Sequence, residues 1–203
     1  MAAQAVNYLE SSLRRVKRDL NAIGVPWALV GGLAVSARAG SRSTKDIDAA
    51  VAIDSEPEAD ALVNQLLGLG YRTAMILEDP ETRKLSTVRL FAPLVDEREL
   101  LFDLLMRTCG IEHEVISSAT DVMVVPALTV PTATLAHLLA MKTLSTSDLR
   151  PNDLPDIQSL VDVATDADIV TARDALRLMT ERGFNREKDL QHDFDGYLAR
   201  FRS

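Results

Sequence analysis

The sequence has little of what would indicate a membrane protein, a disulfide framework or an extended nucleic-acid surface. Its single cysteine, Cys109, cannot form an internal disulfide, so we expect a reducing, cytoplasmic environment. No apolar run reaches the length of a membrane span, and the N-terminal segment is charged and amphipathic, so we expect no signal peptide and no membrane partner. A net charge of −8 argues against nucleic-acid binding over the whole surface.

Several common site signatures are also absent. The histidines His113, His137 and His192 lack the spacing of metal ligands, and Cys109 has no recognisable base partner. The Gly31-Gly32 pair lacks the G-K-[ST] of a P-loop and the third glycine of a dinucleotide-binding fingerprint. The sequence therefore predicts no histidine- or thiol-based site and neither of these two nucleotide-binding motifs.

The basic residues are unevenly distributed despite the acidic balance. The stretch from Ser12 to Lys45 carries seven of them against one acid, Asp19, and a second group lies near the C-terminal end. Such patches bind anions, but they are equally typical of solvated helix faces, and both interpretations stay open. The two groups are Arg14, Arg15, Lys17, Arg18, Arg38, Arg42 and Lys45, and Arg182, Arg186, Lys188, Arg200 and Arg202.

A chain of 203 residues allows one domain, or one domain with a helical appendage. Apolar residues recur at helical spacing in some segments and as short buried or alternating runs in others. We predict helices at 6–23, 33–39, from Asp54 or Ser55 to Gly68, from Pro131 onward, and at 155–164, 169–182 and 186–201. We predict strands at 28–30, 46–53, 71–77, 86–91 and 99–106, and further extended segments around Pro126.

This order of elements predicts an α/β (α+β) fold with a mixed sheet flanked by helices. A soft boundary near Val130 divides it, because strands dominate before that point and helices after it. The prediction is an α/β core with an N-terminal helix over residues 1–130, and a helical region packed on it over residues 131–203.

Two carboxylates follow a glycine turn. Gly31 and Gly32 end a buried apolar strand and precede a short helix, so the backbone there can approach an anion closely. Asp46 and Asp48 begin the next strand, where side chains at i and i+2 point to the same face. Their oxygens suit Mg²⁺ better than zinc. An isolated D-x-D is common on surfaces, and a structural turn would alone explain the glycines.

A third carboxylate, Asp103, lies within an apolar strand. It shares a face with Leu101 and Leu105, where a charge is unfavourable unless it is paired or binds a metal. Three carboxylates on neighbouring strands can hold two divalent ions for phosphoryl transfer.

These residues resemble a known family. The glycine pair, thirteen intervening residues, Asp46-Ile47-Asp48 and a later Asp103 resemble the nucleotidyltransferase superfamily that includes DNA polymerase beta. The pattern V-G-G-L-A-V-S-x-R-x-x-x-R-S-T-K-D-I-D is closer still to the AbiEii-like branch, toxins that include the mycobacterial MenT proteins. Downstream, L-A-M-K-T-L-S, Arg150 and N-D-L-P-D-I-Q-S-L are similar to that branch's helical Lys and Asp motifs. The resemblance covers roughly residues 6–163.

The resemblance implies a nucleotidyltransferase-type sheet and a role for each matching residue. Asp46, Asp48 and Asp103 would be Mg²⁺ ligands, and Asp103 would also be the general base toward an attacking hydroxyl. Gly31 and Gly32 would cradle the triphosphate, although many members have Gly-Ser at this point. The missing hydroxyl could come from Ser36, Ser41, Ser43 or Thr44, with Ser43 and Thr44 included in the predicted nucleotide site. Independently of the resemblance, Arg42 lies beside the carboxylate pair in the sequence and is predicted to contact phosphate.

The helical part of the motif has a functional and a structural interpretation. The resemblance implies that Lys142 contacts the nucleotide and that Asp156, or Asp153, orients it. Alternatively, the lysine extends to water along an apolar helix, and the two acids interact with a helix dipole.

The implied function is that of a cytoplasmic Mg²⁺-dependent toxin with a cognate antitoxin. It would transfer NMP from an NTP to an acceptor hydroxyl, and the MenT branch favours the 3′ end of tRNA, which would block aminoacylation and translation. The alternatives are transfer to a small molecule such as an antibiotic, transfer to a protein hydroxyl, and a non-catalytic regulator on the same fold.

Overall fold

The computed structural model describes residues 2–40, 44, 46–78, 85–95, 98–147, 150 and 152–202, with the backbone alone at 2–7, 94, 95 and 98. Within these ranges the chain forms eight helices and seven strands. The helices are α1 (Ala2–Ile23), α2 (Gly31–Ala39), α3 (Glu56–Gly68), α4 (Glu112–Ser117), α5 (Leu135–Ser145), α6 (Asp153–Val163), α7 (Asp166–Glu181) and α8 (Leu190–Phe201). The strands are β1 (Trp27–Val30), β2 (Ile47–Val51), β3 (Arg72–Glu78), β4 (Leu85–Val95), β5 (Arg98–Leu105), β6 (Thr120–Val125) and β7 (Leu128–Thr132).

All seven strands form one mixed sheet in the order β3-β4-β5-β2-β1-β7-β6. The central strand β2 pairs antiparallel with β1 and parallel with β5, and β1 pairs parallel with β7. The outer pairs β3–β4, β4–β5 and β6–β7 are antiparallel. The short apolar strand β1 is buried along its whole length, as expected for a strand covered on both faces. The mixed α/β class predicted from the sequence is therefore confirmed.

Helix α1 packs its apolar stripe on the sheet, and two of its basic residues form hydrogen bonds to the neighbouring strands. Leu13, Val16 and Leu20 are fully buried, in agreement with the predicted helical spacing. The guanidinium of Arg14 donates to the carbonyls of residues 126 and 127, and the ammonium of Lys17 donates to the carbonyl of residue 129. These two cations therefore support the contact between α1 and the β6–β7 hairpin.

Six predicted helix starts are wrong by two to four residues, and those of α1, α2 and α7 lie later in the prediction than in the structure. Pro131 and Thr132 end β7, and the helix begins at Leu135 after Thr134, whose hydroxyl accepts from the N–H of His137. The chain stays extended there because the N–H of Ala133 still donates to the carbonyl of Leu29 in β1. Helix α6 begins at Asp153 rather than 155, and α8 begins at Leu190 rather than 186.

The helices after β7 pack against α2 as well as one another, since α5 and α6 both contact it. Strand β7 extends two residues beyond the predicted boundary at Val130, and the division into two parts stays a prediction. Among the described residues, no helix is long and apolar enough to cross a membrane.

Candidate active site

The turn between β1 and α2 brings the backbone against a carboxylate. Gly31 has a φ of 65°, in the left-handed region that favours glycine. A Cβ atom built on Gly31 would lie 2.0 Å from Oδ2 of Asp48, far inside van der Waals contact. The register explains this approach, because Val30 at the end of β1 pairs with Asp48 of β2. A glycine is therefore required at position 31 for both its conformation and its lack of a side chain.

The same turn is the N-terminus of a helix. Helix α2 begins at Gly31, two residues earlier than predicted, and its N-cap residue Val30 has no side-chain acceptor for the first N–H groups. Such N–H groups and the positive end of the helix dipole favour an anion. The hydroxyl of Ser36, considered above as a replacement for the missing serine, donates to the carbonyl of Gly32 at 2.9 Å. Thr44 lines the adjoining cavity.

The predicted carboxylates lie on two neighbouring strands. Asp48 of β2 pairs in register with Asp103 of the parallel strand β5, and Asp46 directly precedes β2. Burial, and after it the charges of Asp103 and Asp46, raise the pKa of Asp48 to about 7, against smaller opposing effects of Lys142 and Arg89. Negative charge is thus crowded at this point of the sheet.

A residue that the sequence did not reveal holds the third carboxylate. Arg89 of β4 donates from Nε to Oδ1 of Asp103 at 2.7 Å and from Nη2 to Oδ2 at 2.6 Å. Such a bidentate pair fixes the orientation of both planes. Arg89 and Asp103 are cross-strand partners in the β4–β5 register, so a correct alignment of that hairpin would have identified the pair.

Lys142 does not extend to water, so the structural alternative of a lysine reaching solvent is wrong. It is 9% exposed, and its Nζ lies 2.7 Å from Oδ1 of Asp153 and 2.8 Å from Oδ2 of Asp156. Both acids lie in the first turn of α6 and are buried, so both hold the lysine, where the sequence had left the choice between them open. The hydroxyl of Ser145 donates to the other oxygen of Asp153 at 2.8 Å.

One cavity of about 600 Å³ brings most of the predicted site together. Asp156 is fully buried and does not line the cavity, but it forms an ion pair with Lys142, which does. Arg42 and Ser43, predicted to bind nucleotide, lie outside the described residues, as does Ser41. The predicted residues that line the cavity are Gly31, Gly32, Thr44, Asp46, Asp48, Asp103, Lys142 and Asp153.

Part of the cavity wall comes from segments that carried no sequence motif for a site. Thr108 and Cys109 follow β5, and Arg186 lies between α7 and α8. Burial and the neighbouring Glu112 raise the pKa of the Cys109 thiol well above its usual range, so the thiol is protonated at neutral pH. This agrees with the absence of a predicted role for Cys109. Only the three-dimensional arrangement identifies this wall.

The arrangement of Asp46, Asp48 and Asp103 meets only some of the requirements of a divalent-cation site. Among the described residues, no group of three or more His, Cys, Asp or Glu side chains is arranged to hold a metal ion. Arg89 donates one hydrogen bond to each oxygen of Asp103, which leaves a lone pair on each oxygen for a proton or a cation. Asp46 and Asp48 are the other two carboxylates of this cluster. Their hard oxygens, and the charge that raises the pKa of Asp48, suit a cation such as Mg²⁺ whose other ligands come from substrate or water. A ligand role for Asp103 stays a prediction.

Comparison with solved structures shows a similar fold in a nucleotidyltransferase-like protein, and weaker likenesses to two others. An antigenic nucleotidyltransferase-like protein from Paracoccidioides brasiliensis is 17% identical over 93% of each chain, with a TM-score of 0.56. A putative nucleotidyltransferase from H. pylori is 16% identical over 96% of this chain and 91% of its own, with a TM-score of 0.49. The lincosamide antibiotic adenylyltransferase LnuA, bound to lincomycin, is 15% identical over 76% of this chain and 98% of its own, also with a TM-score of 0.49.

A match of the sequence to a family model decides the family. No curated protein sequence matches the chain. The model described as nucleotidyl transferase AbiEii toxin, type IV TA system, matches residues 16–199 and so includes every element from β1 to α7. This confirms the resemblance carried by the glycine turn and the aspartates. The chain belongs to the AbiEii nucleotidyltransferase family of type IV toxin–antitoxin systems.

Proposed function

We propose that the protein is a Mg²⁺-dependent enzyme that transfers NMP from an NTP to an acceptor hydroxyl, with the 3′ end of tRNA as the favoured acceptor. One observation carries this proposal: a single cavity combines the N-terminus of α2, Asp46, Asp48, Asp103 and Lys142. A triphosphate needs N–H donors and cations, and an attacking hydroxyl needs a base. The cavity has residues for each of these tasks.

The proposed reaction is an in-line displacement at the α-phosphorus. The acceptor oxygen forms a bond to the α-phosphorus, the bond from that phosphorus to the oxygen bridging the β-phosphate breaks, and pyrophosphate leaves. Asp103 accepts the proton of the attacking hydroxyl. Because the planes of Asp103 and Arg89 are fixed by two hydrogen bonds, the carboxylate is oriented before the acceptor arrives. Mg²⁺ held by Asp46 and Asp48 would neutralise charge on the triphosphate.

Binding of the nucleotide is assigned to the two ends of the cavity around these carboxylates. The backbone N–H groups of Gly31 and Gly32 cradle phosphate at the start of α2. Lys142 contacts the nucleotide from α5, in an orientation fixed by Asp153 and Asp156. Two carboxylates lie within ion-pair distance of this buried lysine.

The tRNA acceptor is proposed from membership of a toxin family and from the resemblance to the MenT branch. The basic residues of α1 are weak candidates for contacting it. Arg14 and Lys17 donate to backbone carbonyls, and Arg15 and Arg18 pair with the buried Asp19. Acceptor contacts are therefore expected at the cavity mouth. A cytoplasmic location and a cognate antitoxin complete the proposal.

The proposal is tested by incubating the protein with each α-³²P-labelled NTP, Mg²⁺ and three acceptor pools: total RNA, total protein, and a mixture of lincosamides and aminoglycosides. We expect label in tRNA with one preferred NTP, and sequencing of RNA 3′ ends should show the added nucleotide. The variant Asp48→Asn should label nothing. Label in the drug or protein pool would replace the tRNA assignment, and growth arrest that persists in Asp48→Asn would contradict a catalytic toxin.

A further inference from the structure

Ser145 is the last residue of α5 and lines the same cavity as Lys142 and Asp153. Ser145 and Lys142 are three residues apart on one helix, so their side chains share a face. Both contact the carboxylate of Asp153, the first residue of α6: Nζ of Lys142 donates to Oδ1 at 2.7 Å, and the hydroxyl of Ser145 donates to Oδ2 at 2.8 Å. One carboxylate thus joins the last turn of α5 to the first turn of α6.

The hydroxyl of Ser145 has one proton and two acceptors within reach. The second acceptor is the carbonyl of Lys142, at 3.2 Å. That carbonyl already accepts from the N–H of Thr146 at 3.0 Å and from its hydroxyl at 2.6 Å, which occupies both of its lone pairs. A carboxylate is also the stronger acceptor, because it is charged. The proton of Ser145 is therefore assigned to Asp153.

The end of α5 is held in place without the hydroxyl of Ser145. The ammonium of Lys188 donates to the carbonyls of residues 144 and 146, and Thr146 donates to the carbonyl of residue 142. Loss of the Ser145 hydroxyl would therefore leave the helix end intact and release only one oxygen of Asp153. Any effect on the site would then be transmitted by Asp153.

A second set of donors competes for the carboxylate of Asp153. The residue lies in the first turn of α6, where backbone N–H groups have no partner within the helix and the helix dipole attracts negative charge. The N-cap residue, Asn152, makes no side-chain hydrogen bond to these groups. A carboxylate released from Ser145 can turn toward them, which would draw Oδ1 away from Lys142. The hydroxyl of Ser145 opposes this rotation by holding Oδ2.

The direction of the Lys142 ammonium depends on this restraint. An ammonium has three N–H donors, and oxygens of Asp153 and Asp156 lie 2.7 and 2.8 Å from Nζ. The two carboxylates account for two donors, and the proposed nucleotide contact uses the third. Asp156 is fully buried and does not line the cavity, whereas Asp153 does. Asp153 is therefore the partner that sets the position of the ammonium on the cavity side.

We propose that Ser145 is a positioning residue: it fixes the carboxylate of Asp153 and thereby aims the third N–H of Lys142 at the nucleotide. This inference rests on the proposed nucleotide transfer and deepens it, since Ser145 acts without touching the nucleotide itself. The contact of Lys142 is made in the ground state and in the transition state alike. Weakening it should therefore raise the KM for NTP and leave kcat nearly unchanged.

The test measures binding of the four non-hydrolysable α,β-methylene NTPs by isothermal titration calorimetry, with Mg²⁺ and without acceptor. Ser145→Ala should raise the Kd of the preferred analogue about three- to tenfold, the loss expected for one hydrogen bond. Ser145→Thr keeps a hydroxyl and should restore most of the affinity. In labelling assays with tRNA, the KM for NTP should rise by the same factor.

Ser159→Ala is the matched control. The hydroxyl of Ser159 donates to the carbonyl of Pro155 within α6, away from the cavity, so its loss should leave Kd, KM and kcat unchanged. Urea denaturation of each variant confirms that it is folded. Unchanged Kd and KM in Ser145→Ala would overturn the role of Ser145 while the transferase stands.

A double-mutant cycle with Asp153→Ala separates positioning from direct contact, because Ser145 itself lines the cavity. If Ser145 acts through Asp153, Ser145→Ala should cause little further loss of affinity once Asp153 is replaced. Equal losses in both backgrounds would show that the hydroxyl contacts the nucleotide directly and would overturn the positioning role. Absence of binding of all four analogues to the unmutated protein would instead refute the proposed nucleotide site.

Discussion

The guanidinium of Arg89 and the carboxylate of Asp103 form a two-point pair across the β4–β5 hairpin, with bonds of 2.7 and 2.6 Å. The Asp103 side chain is 11% exposed and that of Arg89 is 39% exposed, so water screens the pair only in part. An aspartate in an apolar strand is thereby paired without a metal. The pair also sets the direction from which Asp103 can accept a proton.

Replacing Arg89 with Ala should separate this positioning role from general stability. We expect kcat to fall about 10²-fold, the loss typical of misplacing a reacting group by about 1 Å. The free energy of unfolding should fall by about 1–3 kcal/mol, because Asp103 loses two charge-assisted hydrogen bonds. Arg89→Lys should recover stability better than rate, since a lysine cannot donate the two parallel bonds. Steady-state labelling kinetics and urea denaturation measure the two quantities.

The control is Arg72→Ala, which removes an arginine that pairs with Glu99 on the exposed side of the same sheet. That pair is solvent-exposed, so a change of less than about 1 kcal/mol in stability and no change in kcat are expected. Equal kinetic losses in the two variants would exclude a specific role for Arg89.

A second prediction concerns the glycine turn. Gly31→Ala should abolish detectable transfer, because the new methyl group would collide with the Asp48 carboxylate and displace it. Gly24→Ala is a matched control: Gly24 has a φ of 82°, and a Cβ there would meet nothing within 4 Å. Both variants should lose about 1–2 kcal/mol from the left-handed conformation, and Gly31→Ala more. Full activity in Gly31→Ala would show that the close approach to Asp48 is dispensable.

The local part of the site could be predicted from the sequence because its residues are close in the chain. The path from β1 through the turn and α2 to β2 spans residues 27–51, and strand alternation is enough to predict that Asp46 and Asp48 lie close together. Both line the cavity, although Asp46 lies just before β2. Glycine chemistry likewise indicates the turn itself. These features depend on backbone rules that act over a few residues.

The rest of the site depends on contacts between distant segments, which no local pattern specifies. Arg89 meets Asp103 only through strand register, and Arg186 reaches the cavity through a loop between the last two helices. Helix α5 is buried on nearly all sides, so its periodicity could not tell whether Lys142 faces water or protein. The prediction of a helix start at Pro131 was wrong because proline is common at helix starts, whereas here β7 continues through Pro131 to Thr132.

A third prediction concerns pH and the buried His137. Its Nδ1 lies 2.8 Å from the hydroxyl of Thr134 and 3.2 Å from that of Ser118, and burial lowers its pKa, with a smaller opposing effect of Glu114. As pH falls through the usual histidine range near 6.5, the unfolded chain therefore binds a proton that the folded chain resists. The contribution of His137 to the free energy of unfolding should thus decrease from pH 7 to pH 5, whereas Asp48, with its pKa raised to about 7, contributes in the opposite direction.

The comparison that isolates His137 is His137→Gln, measured by urea denaturation at several pH values. The variant should be less stable at pH 7 but should lose less stability than the unmutated protein between pH 7 and pH 5. Carboxylates contribute equally to both chains, so the difference between the two slopes reports the histidine. Parallel slopes would mean that His137 titrates as it does in the unfolded chain.

The last prediction separates structure from chemistry at Lys142. Lys142→Met should destabilise the fold by about 3–5 kcal/mol, because it leaves the buried Asp153 and Asp156 without their cation, and it should abolish transfer. Neutralising the acids as well, in the triple variant Lys142→Met, Asp153→Asn and Asp156→Asn, removes the unpaired charge and should restore most of the lost stability. If the lysine contacts the nucleotide, the triple variant stays inactive although it is folded. Recovery of labelling together with stability would instead show that the three residues only hold α5 and α6 together.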